Sequence, residues 1–134
     1  MDELKTDQSV PVPQVEFDGL RRMFGSIGVT IALDGELPDD SETGLLFTDI
    51  IREGVSNAVK HGFATEVSVT IRMSEGMYRL MITDNGRSVK ETFTEGGGFG
   101  GIRRKLEPYG GVLTVTYDPR FTLGVTIPGG GVVV

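Results

Sequence analysis

A chain of 134 residues, 38% hydrophobic and 24% charged, has the size and balance of one globular domain that can bury a core without disulfides or a structural metal. Its net charge of -6 gives no electrostatic support to nucleic-acid binding, although main-chain N–H groups can still hold a phosphate-bearing ligand. With no cysteine and one histidine, His61, thiol chemistry and cysteine-based zinc sites are excluded, and the composition is compatible with a reducing compartment without proving one.

Residues 1–14, with Gln8-Ser-Val-Pro-Val-Pro13, read as a linker or frayed lead-in. Val15, Phe17, Leu20, Met23 and Phe24 fall at helical spacing, and Gly25 and Gly28 close that segment. Val29–Leu33 is a short β-type run, and Asp34-Gly-Glu-Leu-Pro38 turns the chain. The next segment predicts a long helix over about 41–61. Asp39, Asp40 and Ser41 are its cap candidates, and Leu45, Leu46, Ile50, Ile51, Val55, Ala58 and Val59 mark its buried side. Gly62 lies just past its end. Glu66–Met73 and Met77–Thr83 alternate apolar and polar residues, as strands with one covered face do, and Ser74-Glu-Gly76 joins them. Residues 84–97 are polar and Gly-rich and read as a mobile loop. A helix over Gly98–Tyr109 follows, with Ile102 and Leu106 inward, then a hairpin of Val112–Tyr117 and Phe121–Ile127. The tail, 129–134, is expected to be disordered, which leaves 15–128 as the folded domain. This order implies an α+β fold, a two-layer sandwich with helices on one face of a mixed, mostly antiparallel sheet. No apolar run approaches the roughly 20 residues that span a bilayer. Met1-Asp-Glu-Leu-Lys5 also lacks the basic-then-apolar order of a signal peptide. The expectation is therefore a cytoplasmic domain without membrane contact of its own.

Three segments carry chemistry. Glu53, Asn57 and His61 recur every four residues and share one face of the long helix. Asn57 sits among Val55, Ala58 and Val59, where a buried amide needs a partner; a hydrated magnesium ion could supply one, and a solvated helix face is the alternative. Asp84-Asn-Gly86 follows a strand directly. Its carboxylate could accept a hydrogen bond from an exocyclic amino group such as that of adenine, and Gly86 would let a flat base come close; an ordinary turn is the alternative. Gly96-Gly-Gly-Phe-Gly-Gly101 places five glycines in six positions before a helix, where N–H groups and the helix dipole favour anions. It is neither a Rossmann fingerprint, since no strand precedes it, nor a Walker A loop.

In this order the three segments resemble the N, G1 and G2 boxes of the GHKL, or Bergerat-fold, ATPases. Ile51-Arg-Glu-Gly-Val-Ser-Asn-Ala-Val-Lys-His61, Gly98-Phe-Gly-Gly-Ile-Arg-Arg-Lys-Leu106 and Tyr109-Gly-Gly-Val-Leu-Thr114 look in particular like the sensor histidine kinase branch that pairs with the HisKA_3 type of dimerisation domain. The resemblance spans about residues 15–128. It implies an ATP-binding catalytic domain that presents the γ-phosphate of Mg·ATP to a phosphoacceptor histidine on a separate dimerisation domain, with a response regulator as the indirect partner. Asn57 would coordinate Mg²⁺ and Asp84 would bind the adenine amino group. Gly86 would lie by the base, while Gly96, Gly98, Phe99, Gly100 and Gly101 would surround the phosphates. Lys60 and His61 would be phosphate neighbours, and Glu53 would act on a metal-bound water without being the base for the acceptor histidine. A lid at about 87–97 would cover the nucleotide, and the isolated chain is not expected to autophosphorylate. Two positions depart from the family pattern: Ser88 replaces a second G1 glycine, and Arg120-Phe121 replaces Gly-Thr before the last strand. Both bear on the base pocket, and nucleotide binding is expected to survive them. The alternatives are a standalone anti-sigma-factor serine kinase of the same fold and a degenerate module that no longer uses nucleotide.

Overall fold

The computed structural model describes residues 12–86, 98–116 and 121–128. The elements are α1 (Pro13–Gly25), β1 (Thr30–Asp34), α2 (Ser41–Gly62), β2 (Glu66–Ser74), β3 (Met77–Asp84), α3 (Gly98–Leu106), a 3-10 turn (Glu107–Tyr109), β4 (Val112–Thr116) and β5 (Thr122–Pro128). The five strands form one sheet in the order β1-β2-β3-β5-β4. Only β1 and β2 pair in parallel, and α2 makes the crossover that a parallel pair requires. The other three pairings are antiparallel.

Alternation along the strands sets the two layers. Val67, Val69 and Ile71 of β2, Leu80 and Ile82 of β3, and Leu123, Val125 and Ile127 of β5 are buried under the helices. The residues between them, among them Ser68, Thr70, Arg79, Met81 and Thr126, form the opposite and more exposed face. From above, Phe17, Leu20 and Phe24 of α1, Phe47, Ile50, Ile51 and Val55 of α2, and Ile102 and Leu106 of α3 complete one core. The Phe47 ring meets Tyr78 edge-on at 5.8 Å, which anchors the N-terminal part of α2 to β3. Along α2, Leu46, Ile50, Ile51, Val55 and Ala58 are buried as expected, whereas Leu45 and Val59 are half-buried at the margin.

Element ends show where local chemistry was decisive. Pro13 occupies the first turn of α1, so the helix begins inside what composition alone assigned to a lead-in. Asp40 caps α2, its Oδ2 accepting from the Thr43 amide at 2.9 Å and the Thr43 hydroxyl at 2.7 Å. Those two hydrogen bonds hold the Asp40 carboxyl below its ordinary range. A depressed carboxylate pKa stabilises the fold above the unfolded-state value and loses that contribution as pH falls through the folded value. Asp40→Ala is therefore expected to cost about 1 kcal/mol near neutrality, and less in acid, in urea titrations. Gly62 is the last residue of α2, so the left-handed position after the helix falls to Phe63, with φ 56° and 70% exposure, rather than to a glycine. The last helix also ends earlier than its apolar spacing suggested. Pro108 has no N–H to donate, and the chain tightens to a 3-10 turn over Glu107–Tyr109. Between β2 and β3, Glu75 and Gly76 both have positive φ, 53° and 75°, as a two-residue hairpin turn of this hand demands. Glutamate is poorly suited to the first of these positions. Glu75→Asn is expected to stabilise the domain by about 0.5–1 kcal/mol, seen as a raised melting temperature.

The expected lid at about 87–97, the tail at 129–134, and Gly96, Ser88 and Arg120 lie outside the described residues. Phe121, the second departure from the family pattern, is buried against the core just before β5.

Candidate functional site

The sheet-facing side of α2 sets the register of the site. A Cβ on Gly54 would stand 3.0 Å from the Ile82 side chain, so helix and strand are in close contact at that level. Further along, a Cβ on Gly86 would stand 2.5 Å from the carbonyl oxygen of Gly62, so the end of the helix and the chain beyond β3 are again in contact. Between these points the helix advances about 12 Å and the strand about 13 Å. The two run side by side, and the level of Asn57 and Ala58 is the level of Asp84. Two residues 27 positions apart in the chain thus stand at about the same level of helix and strand.

Both are buried: Asn57 is 9% and Asp84 5% exposed. Its burial sets Asn57 apart from an ordinary solvated helix face. Glu53 and His61 are half-buried on either side of Asn57, and Lys60 is exposed. Four polar side chains are buried among the described residues, and their hydrogen bonding separates them. Thr43 donates to Asp40, and Thr48 donates to the Gly44 carbonyl at 2.9 Å, so both belong to the helix's own architecture. Asp84 accepts from the Gly86 amide at 2.7 Å, which fixes its carboxylate at the mouth of β3. The Asn57 Nδ2 is the only buried side-chain nitrogen or oxygen among the described residues with no partner. A buried donor left unpaired costs about 1–3 kcal/mol, a penalty that natural proteins keep where a ligand later supplies the acceptor.

Asn85, which the sequence reading passed over, holds the site together. Its Oδ1 accepts from the amides of Thr65 and Glu66 at 2.9 and 3.0 Å, and its Nδ2 donates to the Thr65 hydroxyl at 3.0 Å. These bonds tie the end of β3 to the start of β2 and leave Asp84 a rigid platform. An Asx residue after a strand is a recognisable signal for such bonding, but its partners lie about twenty residues back and only the fold names them. Gly86 also has a structural reason to be glycine: the space its side chain would take belongs to Gly62 and Ala64.

The third segment begins α3. Gly98 is its first residue, Gly100 and Gly101 are half-buried, and the helix packs on α2. Its unpaired N–H groups and dipole make that first turn favourable for anions. A cavity of about 470 Å³ sits at the opposite end of β2 and β3, lined by residues including Leu37, Arg72 and Tyr78, and contains none of the box residues.

A family profile described as histidine kinase-, DNA gyrase B- and HSP90-like ATPase matches residues 42–133, which include all three segments. The chain belongs to that family. Among curated proteins, this ATPase domain is 30% identical over 115 residues to the nitrate/nitrite sensor protein NarQ of Escherichia coli, a match covering 81% of the chain and 20% of NarQ. It is 32% identical over 78 residues to the sensor histidine kinase YvfT of Bacillus subtilis, covering 58% of the chain and 21% of YvfT. The domain thus spans about a fifth of the length of these relatives. Among solved structures it superposes on the ATP binding domain of PrrB from Mycobacterium tuberculosis with a TM-score of 0.68 at 21% identity, covering 87% of this chain and 93% of that one. The blue-light activated histidine kinase EL346 of Erythrobacter litoralis matches with a TM-score of 0.69 at 20% identity, covering 86% of this chain and 43% of that one. The two-layer α+β fold expected from the sequence is therefore the fold of histidine kinase ATP-binding domains.

Proposed function

We propose that this domain binds Mg·ATP beside Asn57 and Asp84 and holds its γ-phosphate for transfer to a histidine on a separate dimerisation domain of a sensor kinase. The observation that carries the reading is the buried Asn57 Nδ2, without a partner among the described residues, at the level of a buried, oriented carboxylate. A carboxylate at that position accepts a hydrogen bond from an adenine amino group. The amide offers both a donor for a phosphate oxygen and an oxygen for a cation. One amide oxygen with a half-buried carboxylate nearby suits Mg²⁺, which takes few protein ligands and completes its shell with water and phosphate. When bound, the ion would neutralise charge on the phosphates. The protein's own part is positioning: Asp84 sets the base, the first turn of α3 faces anions, and His61 and Lys60 lie one turn beyond Asn57 as phosphate neighbours.

Glu53 lies one turn before Asn57, where it can orient a water of the ion's shell; the base for an acceptor histidine belongs beside that histidine. The response regulator would then take the phosphoryl group from the dimerisation domain. Similarity to sensor kinases favours this reading over a standalone serine kinase of the same fold. With radiolabelled ATP, the isolated chain is expected to yield no phosphohistidine. Adding the dimerisation domain encoded with it should give acid-labile label on that domain. Acid-labile label on the chain alone would overturn the proposed division of labour.

A further inference from the structure

The sheet has two edges, and they are treated differently. β1 ends in Asp34, whose carboxylate pairs with Arg72 at 2.9 Å, so a charge and a side-chain clamp mark that edge. β4, Val112-Leu-Thr-Val-Thr116, pairs only with β5 among the described residues, and it carries neither a charge nor a proline. Edge strands in soluble proteins are ordinarily blunted by such residues, because an uninterrupted row of N–H and C=O groups recruits another strand.

On the helix side of β4 lies a groove of about 310 Å³ between α3 and the strand, lined by Arg103, Arg104, Leu106, Glu107, Gly111 and Leu113. Leu106 is buried and Leu113 half-buried, which makes the floor apolar. Arg103 and Arg104, with Lys105 next to them, are exposed, and none of the three makes an ion pair among the described residues. Three adjacent exposed cations stand out in a chain of net charge -6.

We infer that the β4 edge and the α3–β4 groove form a docking site for an extended acidic segment of a partner protein, added to the sheet as a sixth strand. Main-chain hydrogen bonds to β4 hold the segment, and alternate side chains point to the helix side. There an apolar residue meets Leu106 and Leu113, and an acidic residue two positions along meets Arg103 or Arg104. The same charges argue against a second copy as occupant. Pairing β4 with itself would bring the two arginine-rimmed grooves together, and like charges across an interface cost affinity. The inference does not depend on nucleotide binding.

The test uses the full chain and a dye-labelled peptide, Ser-Glu-Thr-Val-Thr-Glu-Thr-Val-Ser, which presents Glu and Val on one strand face. Fluorescence anisotropy is expected to show saturable binding that weakens with salt. The exposed double variant Arg103→Glu, Arg104→Glu should weaken it by roughly tenfold or more. Amide exchange of Val112–Thr116 should slow on peptide addition, and replacing both Glu by Gln in the peptide should remove most of the affinity. Absence of saturable binding, equal binding by the double variant, or protection away from β4 would overturn the inference. So would binding to phosphatidylserine vesicles without binding to the peptide, which would make the cations a membrane-facing patch.

Discussion

Asn57→Ala is expected to weaken Mg·ADP binding by roughly 10- to 100-fold while leaving the melting temperature unchanged or raised. The two effects have opposite signs for one reason. Among the described residues the Asn57 Nδ2 is buried without an acceptor, so removing it relieves a desolvation penalty. In the proposed nucleotide complex the same amide would make its hydrogen bonds to charged groups, each worth about 1.5–3 kcal/mol. A purely structural asparagine would behave differently, its loss lowering stability and sparing binding. Asp84→Ala, measured in the same titration, should lose a comparable factor through the base. Calorimetry on both variants, paired with thermal unfolding, checks the pair. Unchanged binding heats in both would favour a module that no longer uses nucleotide.

Gly86→Ala is expected to damage fold and site together. The new methyl group would stand 2.5 Å from the Gly62 carbonyl oxygen and 2.9 Å from its carbon, both backbone atoms held at the end of α2. Relief requires moving the segment after α2 or the end of β3. Overpacking of this kind costs about 1–3 kcal/mol. Either movement also disturbs the Gly86 N–H that orients Asp84. The expected outcome is a lowered denaturant midpoint accompanied by weakened nucleotide binding, in contrast to Asn57→Ala, where stability holds. If Gly86→Ala kept both stability and binding, the close approach of Gly62 and Gly86 would not constrain the site.

Local chemistry determined much of this protein. The spacing of apolar residues placed α2 and the core strands, Asp40 supplied a cap, Glu75-Gly76 a tight turn, and Pro108 and Gly110 the end of the last helical stretch. The three polar segments also stand in an order recognisable along the chain, and the family profile that matches residues 42–133 spans all of them. What lies beyond that required the tertiary structure, since burial and partnership depend on residues distant in sequence. Only the packed fold decided that Asn57 is enclosed rather than solvated, and that Asp84 stands level with it. It likewise decided that Asn85 clamps β2 to β3, that Phe63 rather than Gly62 takes the left-handed position, and that β4 is left at an edge. Periodicity shows which face of an element is apolar; what covers that face, and whether a polar group on its margin finds a partner, is settled by neighbours brought from elsewhere in the chain.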